Sequence, residues 1–436
     1  MRRALLLCVY LYACIPVFAQ SDTLNEKTMD EAVVSVNKWE QKLNEVPNKI
    51  IKVSKYDILR NNPQTSADLL GQSGTVFIQK SQLGGGSPMI RGFATNRVLL
   101  VVDGVRMNNA IYRSGNLQNI ISIDPLSTEA AEVIFGPGSL IYGSDAIGGV
   151  MDFHTLEPRF SKTDKMQAKG AVLGRYSSAN LEKTGHADLN LGWKKWSLLT
   201  SVSYSRFDDL KMGKNGGQDS YLRPEYVKRI NNKDSIVKNS DPRIQRFSGY
   251  DQLNFLQKIR FKPGQYWDLL YSFTHAKTGN APRYDRLIQY RNGALRFAEW
   301  YYGPMIWDMH TLNVLHTKKT VWYDDVRLTV AYQDYEESRI DRTRANNNRN
   351  KQTELVDAIS VNLDANKSLV KGQLFYGLEY VHNKVGSLGE RTNISTGVVS
   401  PMVSRYPNNS TWSTTGIYGS YKINLNPKLT LTTGLQ

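Results

Sequence analysis

The chain has 436 residues, 40% of them apolar and 22% charged, which is enough apolar content for a packed core and excludes a wholly disordered chain. Its mean hydropathy of −0.44 argues against a bundle of membrane helices but leaves a membrane β-barrel open, because barrel strands are apolar on one face only. The net charge of +15 is scattered, with no run of five or more Lys and Arg, so it suits a basic lumen or anionic lipid headgroups as readily as nucleic acid. The 24 Tyr and 8 Trp fit the aromatic girdles of a barrel or the core and surface of a soluble protein.

Arg2 and Arg3 precede an apolar stretch over residues 4–16, and Val17-Phe18-Ala19 supplies small residues at the right places for cleavage. This reads as a signal peptide over residues 1–19, with a mature start at Gln20. The run is short for a membrane anchor, and Tyr12 before Ala13 fits poorly with a lipidated Cys14. Cys8 and Cys14 both lie in this leader, so the rest of the chain can hold neither a disulfide nor a cysteine metal site.

Residues 20–45 form a polar segment with one β-prone island, Ala32-Val33-Val34-Ser35-Val36. Residues 46–160 read as a compact α/β unit. Thr65 and Ser66 can cap a short helix through Leu69 and Leu70. Residues 76–78 and 98–102 read as strands, Asp103-Gly104 as a turn, residues 128–131 as helix and 133–135 as a further short strand.

Beyond residue 165 the pattern changes to period two. Trp196, Leu198, Thr200, Val202 and Tyr204 alternate with Ser197, Leu199, Ser201, Ser203 and Ser205, and Trp267, Leu269, Tyr271 and Phe273 alternate with Asp268, Leu270, Ser272 and Thr274. Strands are expected near 167–177, 186–193, 196–206, 252–262, 266–276, 309–317, 321–340, 354–365, 373–383, 412–424 and 428–436. Tight turns at Lys194-Lys195, Pro263-Gly264, Lys318-Lys319, Asn366-Lys367 and Asn426-Pro427 alternate with long polar loops near 207–250, 277–308, 341–353 and 385–411. A soluble sandwich shares the alternation but has no reason for this rhythm of loops, which marks an antiparallel transmembrane β-barrel over residues 165–436. An odd count of about eleven strands, with the last running to Gln436, predicts truncation from a plugged barrel of about 22 strands.

Four stretches carry a family resemblance: Asp30 to Lys38, Met89-Ile90-Arg91-Gly92-Phe93, Val101 to Asn108, and Gly136 to Val150. In order and spacing they resemble TonB-dependent outer-membrane receptors, above all the vitamin B12 and haem branches. The resemblance implies an α+β plug domain followed by the barrel, located in the outer membrane of a Gram-negative bacterium. It implies that Asp30, Glu31, Ala32, Val33, Val34, Ser35 and Val36 are the TonB box. An unpaired β-prone strand there exposes backbone groups to which a periplasmic partner can add a strand. The partners implied are TonB with its inner-membrane energising complex, outer-membrane lipid and an extracellular small molecule. That ligand is expected to be an iron complex, either a siderophore or haem, with cobalamin next. A passive porin and a secreted enzyme are the rival classes. No cofactor, resident metal, nucleic acid or catalytic constellation is expected.

The plug motif residues that the resemblance singles out are Arg91, Gly92, Asp103, Gly104, Arg106, Gly136, Pro137, Gly143, Gly148 and Gly149. Arg91, Arg97, Arg106 and Arg113 could pair with acids of the barrel, Arg91 foremost. No Gly-Lys-Ser/Thr follows Gly84-Gly85-Gly86 or the Gly136–Gly149 segment, and Gly136-x-Gly138-x-x-Ile141 lacks the third glycine of a dinucleotide loop, so both sets of glycines are expected to permit tight turns where plug meets barrel. Family plugs face their ligand with the loop over residues 108–118, which brings in Tyr112, Arg113 and Asn116. His310 and His316 share strand parity after the aromatic run Phe297 to Tyr302 and are candidate iron ligands.

Overall fold

The computed structural model describes residues 32–33, 38–39, 41–42, 46–112, 119–136, 138–215, 221–426 and 429–436. The leader reading of residues 1–19 lies outside them. Two short strands, β1 (Ala32–Val33) and β2 (Gln41–Lys42), pair antiparallel. The plug then begins with β3 (Lys49–Ser54) and continues with β4 (Phe77–Gln79), β5 (Ser87–Ile90) and β6 (Phe93–Ala94), which form a small antiparallel sheet. Next come β7 (Val98–Val102), β8 (Val105–Arg106), β9 (Thr128–Phe135) and β10 (Gly149–Thr155). They join β3 in a sheet of order β3-β9-β10-β7-β8, in which only β7 and β10 run parallel.

Local chemistry accounts for the helices. The helix Lys55–Asn61 opens with a reciprocal cap, Asp57 N donating to Ser54 Oγ at 3.3 Å and Ser54 N to the Asp57 carboxylate at 3.1 Å, and it stops at left-handed Asn62. The helix Ser66–Gly71 is capped by Thr65, as its sequence predicts. Every residue of β7 is buried because both of its faces are covered. Residues 128–131 are strand, not helix. Ala130 and Ala131 favour helix in isolation, but here β9 has β3 on one side and β10 on the other, and that double pairing satisfies its backbone groups.

Gly148 and Gly149 serve close packing inside the plug, whereas Gly84 lies where plug meets wall, as expected of it. A Cβ on Gly148 would stand 2.3 Å from Phe93 Cβ, and one on Gly149 would stand 2.5 Å from the Ile134 carbonyl oxygen. A Cβ on Gly84 would fall 2.4 Å from the Tyr250 ring of the wall, and one on Gly434 of the wall would fall 2.7 Å from Leu140 of the plug.

The wall is an antiparallel meander. It opens with β11 (Gln167–Ser177), β12 (Glu182–Gly192) and β13 (Trp196–Phe207). A loop hairpin, β14 (Glu225–Ile230) and β15 (Lys233–Lys238), leads to β16 (Tyr250–Phe261) and β17 (Trp267–Thr278). The next loop holds β18 (Ala281–Pro282), β19 (Tyr290–Arg291), β20 (Ala294–Leu295) and β21 (Phe297–Tyr302). Then follow β22 (Met305–Thr317), β23 (Asp325–Thr343), β24 (Asn348–Leu369) and β25 (Gly372–Asn393). The short β26 (Val399–Pro401) precedes β27 (Ser410–Asn426) and β28 (Leu429–Leu435). Eleven of these strands form one hydrogen-bonded path from β11 to β28.

Each strand expected from period two is present, but several run further than alternation indicated. β24 pairs with β25 along their whole lengths, so the loop expected over 341–353 shrinks to 344–347 and that over 385–411 to 394–409. Polar residues such as Asn350, Lys351 and Arg391 belong to these extensions because strand pairing needs backbone partners, not an apolar face. The plug's core runs into the wall. Val102, Ile123 and Phe153 of the plug share one buried cluster with Ala276, Trp307, Met309, Val356 and Val385 of the wall.

Candidate functional site

The plug touches the wall in three zones. At the loop end, β21 extends the upper part of β23, setting Trp300 opposite Asp341 and Tyr302 opposite Arg339. Two guanidinium groups flank that aromatic pair. Arg283 lies 4.8 Å from the Trp300 ring centre and donates to the Tyr302 hydroxyl at 3.2 Å, while Arg339 lies 5.2 Å from the Tyr302 ring. Asp285 holds Arg283 through two bonds of 2.9 and 2.6 Å. Asn350 ties this group together, donating to Asp341 at 3.3 Å and accepting from Arg391 at 3.1 Å.

The plug apex meets this vestibule from below. Tyr406 donates to the Ile111 carbonyl at 3.2 Å, Ala110 N donates to Asn383 at 3.2 Å, and Arg405 stands 3.6 and 3.4 Å from Glu337 and Glu354. The Tyr112 hydroxyl is buried without a hydrogen-bond partner among the described residues. Burial first, and then Glu337, push its phenol well above the ordinary value, so it stays neutral. Arg113 and Asn116 lie outside the described residues.

His310 and His316 are not part of this vestibule. They occupy outward positions of β22. His310 stacks on Phe273 at 4.7 Å, and His316 packs on Trp267 at 4.3 Å beside Tyr266 and Tyr323. The shared parity was real, but it is the parity of the outer face. Their aromatic neighbours make them girdle residues, which removes them as iron ligands within the barrel.

At the turn end, the chain just beyond the stretch expected as a TonB box is clasped by the wall. Lys38 makes a buried 3.2 Å ion pair with Asp364, and its ammonium lies 5.3 Å from the Tyr418 ring and 5.7 Å from Tyr142. Arg327 donates to the Lys38 carbonyl at 3.1 Å and covers the Trp39 ring at 4.8 Å. Of the residues expected as a TonB box, Ala32 and Val33 are described, and instead of the unpaired strand expected they pair with Lys42 and Gln41; Asp30, Glu31, Val34, Ser35 and Val36 lie outside the described residues.

Between the two ends, ion pairs anchor the plug. Asp103 accepts from Thr155 N at 2.8 Å and Thr155 Oγ1 at 2.6 Å, and meets the almost wholly buried Lys258 of β16 at 2.9 Å. Arg106 bonds Glu379 of β25 at 3.2 Å, Asp145 at 2.7 Å and the Tyr142 carbonyl at 2.5 Å. The plug–wall pair expected of Arg91 is therefore made by Arg106. Arg91 is exposed, with its guanidinium 5.6 Å from the Phe135 ring, because positive φ at Arg91 and Gly92 turns the β5–β6 hairpin there. Gly104 and Gly143 also have positive φ, Gly136 ends β9, and Pro137 lies outside the described residues.

Sequence reading missed one buried cluster. Glu132 of β9 lies directly opposite Asp152 of β10, and His154 sits 3.8 Å from Glu132 and 3.7 Å from Asp152. Two acids and a histidine inside the apolar strands Val133-Ile134-Phe135 and Val150-Met151 were the available signal. Burial works against the charge on His154, but Asp152 and Glu132 outweigh it and raise its pKa to about 9. Burial, partly offset by His154 and reinforced by Glu132, pushes Asp152 up to about 6. Both groups are raised, so their stabilisation is complete below their unfolded values and fades as pH rises through about 6 and then about 9. Hydrogen exchange of β9 and β10, corrected for intrinsic rates, is expected to speed up in those two steps, and His154→Gln removes the upper one. An NMR titration placing His154 near its ordinary value would count against this account.

A family model, the TonB-dependent Receptor Plug Domain, matches residues 42–150. A vitamin B12 transporter, BtuB, from Vibrio vulnificus strain CMCP6 is 36% identical over 161 residues, 36% of this chain and 24% of that protein. One from Photobacterium profundum is 29% identical over 204 residues, 46% of this chain and 32% of that protein. Among solved structures, the copper transporter OprC aligns with a TM-score of 0.67 at 14% identity, covering 88% of this chain and 54% of its own. The alcaligin receptor FauA of Bordetella pertussis aligns at 0.61 and 13% identity, covering 93% and 57%. The chain thus spans about a quarter to a third of these curated relatives and little more than half of these solved structures. Its plug match, these relatives and the plug-and-wall fold together support placing the chain in the TonB-dependent receptor family.

Proposed function

We propose that the protein is an outer-membrane receptor, not an enzyme, that imports a scarce extracellular iron complex by energised remodelling of its plug. In this reading residues 1–19 direct export, residues 30–37 are the TonB box, residues 46–160 are the plug and residues 165–436 belong to the barrel. Ligand binds at the loop end against Tyr112 and the wall. TonB, driven by its inner-membrane complex, grips the box at the opposite end and pulls.

The observation that carries this is the loop-end cluster, where Arg283 and Arg339 pack on the largely buried Trp300 and Tyr302 on the same side of the wall as the plug apex with its buried Tyr112. Guanidinium groups on aromatic faces suit a flat, anionic, oxygen-rich complex such as a ferric siderophore. The vitamin B12 transporters among the relatives favour cobalamin as the second reading. A passive porin gains nothing from a plug whose core merges with the wall.

Transport in cells with and without the receptor separates these readings. Radiolabelled ferric siderophores of several chemical classes and labelled cyanocobalamin would each be offered at low concentration. Receptor- and TonB-dependent accumulation of a ferric complex is expected. Accumulation of cobalamin alone replaces the iron reading with the second, and entry independent of TonB overturns both.

A further inference from the structure

Beyond the ligand vestibule, the outer face of β11–β13 carries a groove of about 570 Å³. We propose that it docks one phosphorylated glycolipid of the outer leaflet, the phosphate on Lys183 and Arg206 and an acyl chain along the wall below. The proposal rests on the outer-membrane reading given above.

Strand register builds the groove. Tyr176, Lys183 and Arg206 lie in one cross-strand row at the loop end, with Gly174, Gly185 and Tyr204 in the row beneath. A Cβ on Gly174 or Gly185 would meet nothing within 4 Å, so the floor is open space between two tyrosine ridges. Lower rows are Val172, Ala187 and Val202, and then Gly170, Leu189 and Thr200. These small and apolar side chains leave a track down the lipid-facing surface that suits a hydrocarbon chain.

Charge selects the headgroup. Lys183 has no ion pair among the described residues, and the acid nearest Arg206 is Asp208 at 3.9 Å, with both side chains at least half exposed. Such a loose surface pair gives way readily to a phosphate, which takes charge-assisted bonds from both cations. The outward positions of β11–β13 include no carboxylate. Further round the wall, Asp308, Asp334 and Asp357 form an acidic outward row on β22–β24. The wall is therefore cationic over one sector and acidic over another, and an anionic lipid at the loop-end rim is drawn to the first. Tyrosines beside the cations suit the interfacial depth at which a headgroup meets its chains.

The test uses receptor extracted from membranes in detergent, with native mass spectrometry counting bound bisphosphorylated lipid A against its dephosphorylated form. The unaltered protein is expected to retain one bisphosphorylated molecule even in EDTA, because no divalent bridge is needed. The K183Q/R206Q variant should weaken that binding by about tenfold or more, as expected for the loss of charge-assisted contacts. Gly185→Leu, which fills the floor and leaves both cations, should weaken the two lipids alike. Equal binding of the phosphorylated lipid by K183Q/R206Q and by the unaltered protein overturns the proposal, as does equal retention of the dephosphorylated lipid. Unchanged ligand uptake and heat-modifiable gel migration in both variants confirm that they are folded. A protein that stays in solution without detergent would instead refute the membrane reading on which the groove depends.

Discussion

Val34→Pro is expected to abolish ligand accumulation while leaving ligand binding at the cell surface nearly unchanged. The residue sits in the β-prone island ahead of the clasped Lys38, and strand addition needs its backbone donor. Proline removes that donor and restricts the neighbouring backbone, so loss of ~1.5 kcal/mol or more of partner binding should lower uptake at least about tenfold. Among the described residues, Ala32 and Val33 pair with Lys42 and Gln41, a short contact that a pulling partner can displace cheaply. Binding and uptake would be measured on the same cells with the ligand identified by transport. If both fall together, the stretch is a structural part of the plug and not a TonB box.

Lys258→Met should loosen the plug within the wall. Asp103 is buried, and burial alone would raise its carboxyl. Lys258 and the two Thr155 donors outweigh that and hold it below the ordinary range. Removing the ammonium leaves a buried carboxylate without its cation, a change that typically costs ~3–5 kcal/mol. Hydrogen exchange in β7, β8 and β10 should accelerate, and large antibiotics should leak through the receptor. K258M/D103N should recover most of the protection, since neither charge then remains. The pH dependence carries a sign as well. With its pKa lowered, Asp103 contributes stability above its unfolded value, and this is lost as pH falls through the folded value. In the single variant the lowering by Lys258 is lost, so the carboxyl rises and this loss of stability at falling pH should shrink. Unchanged exchange in Lys258→Met would mean that the shared apolar core of Val102, Phe153, Trp307 and Met309 holds the plug by itself.

Much of the molecule was written in local pattern. Alternation from Trp196 to Tyr204 and from Trp267 to Phe273 marks outward apolar and inward polar faces, and period two is a property of any extended chain. Ser54 with Asp57, Thr65 with Asp68, and the positive φ at Gly104 are likewise short-range chemistry that a sequence displays directly. What local pattern could not decide was which face, which partner and how far. The parity shared by His310 and His316 was legible, but only the packing of the wall's other face against the plug set that parity outward. Arg91 and Arg106 look alike in sequence; the turn at Gly92 sends one to solvent, while the place of β8 beside β25 gives the other Glu379. The stretch over residues 128–131 became strand because β3 and β10 flank it. Lys258 with Asp103, Lys38 with Asp364, and Glu132 with His154 are contacts between residues far apart in the chain or on different strands. Their energies depend on burial and on distances of a few ångströms, and those exist only once plug and wall have packed together.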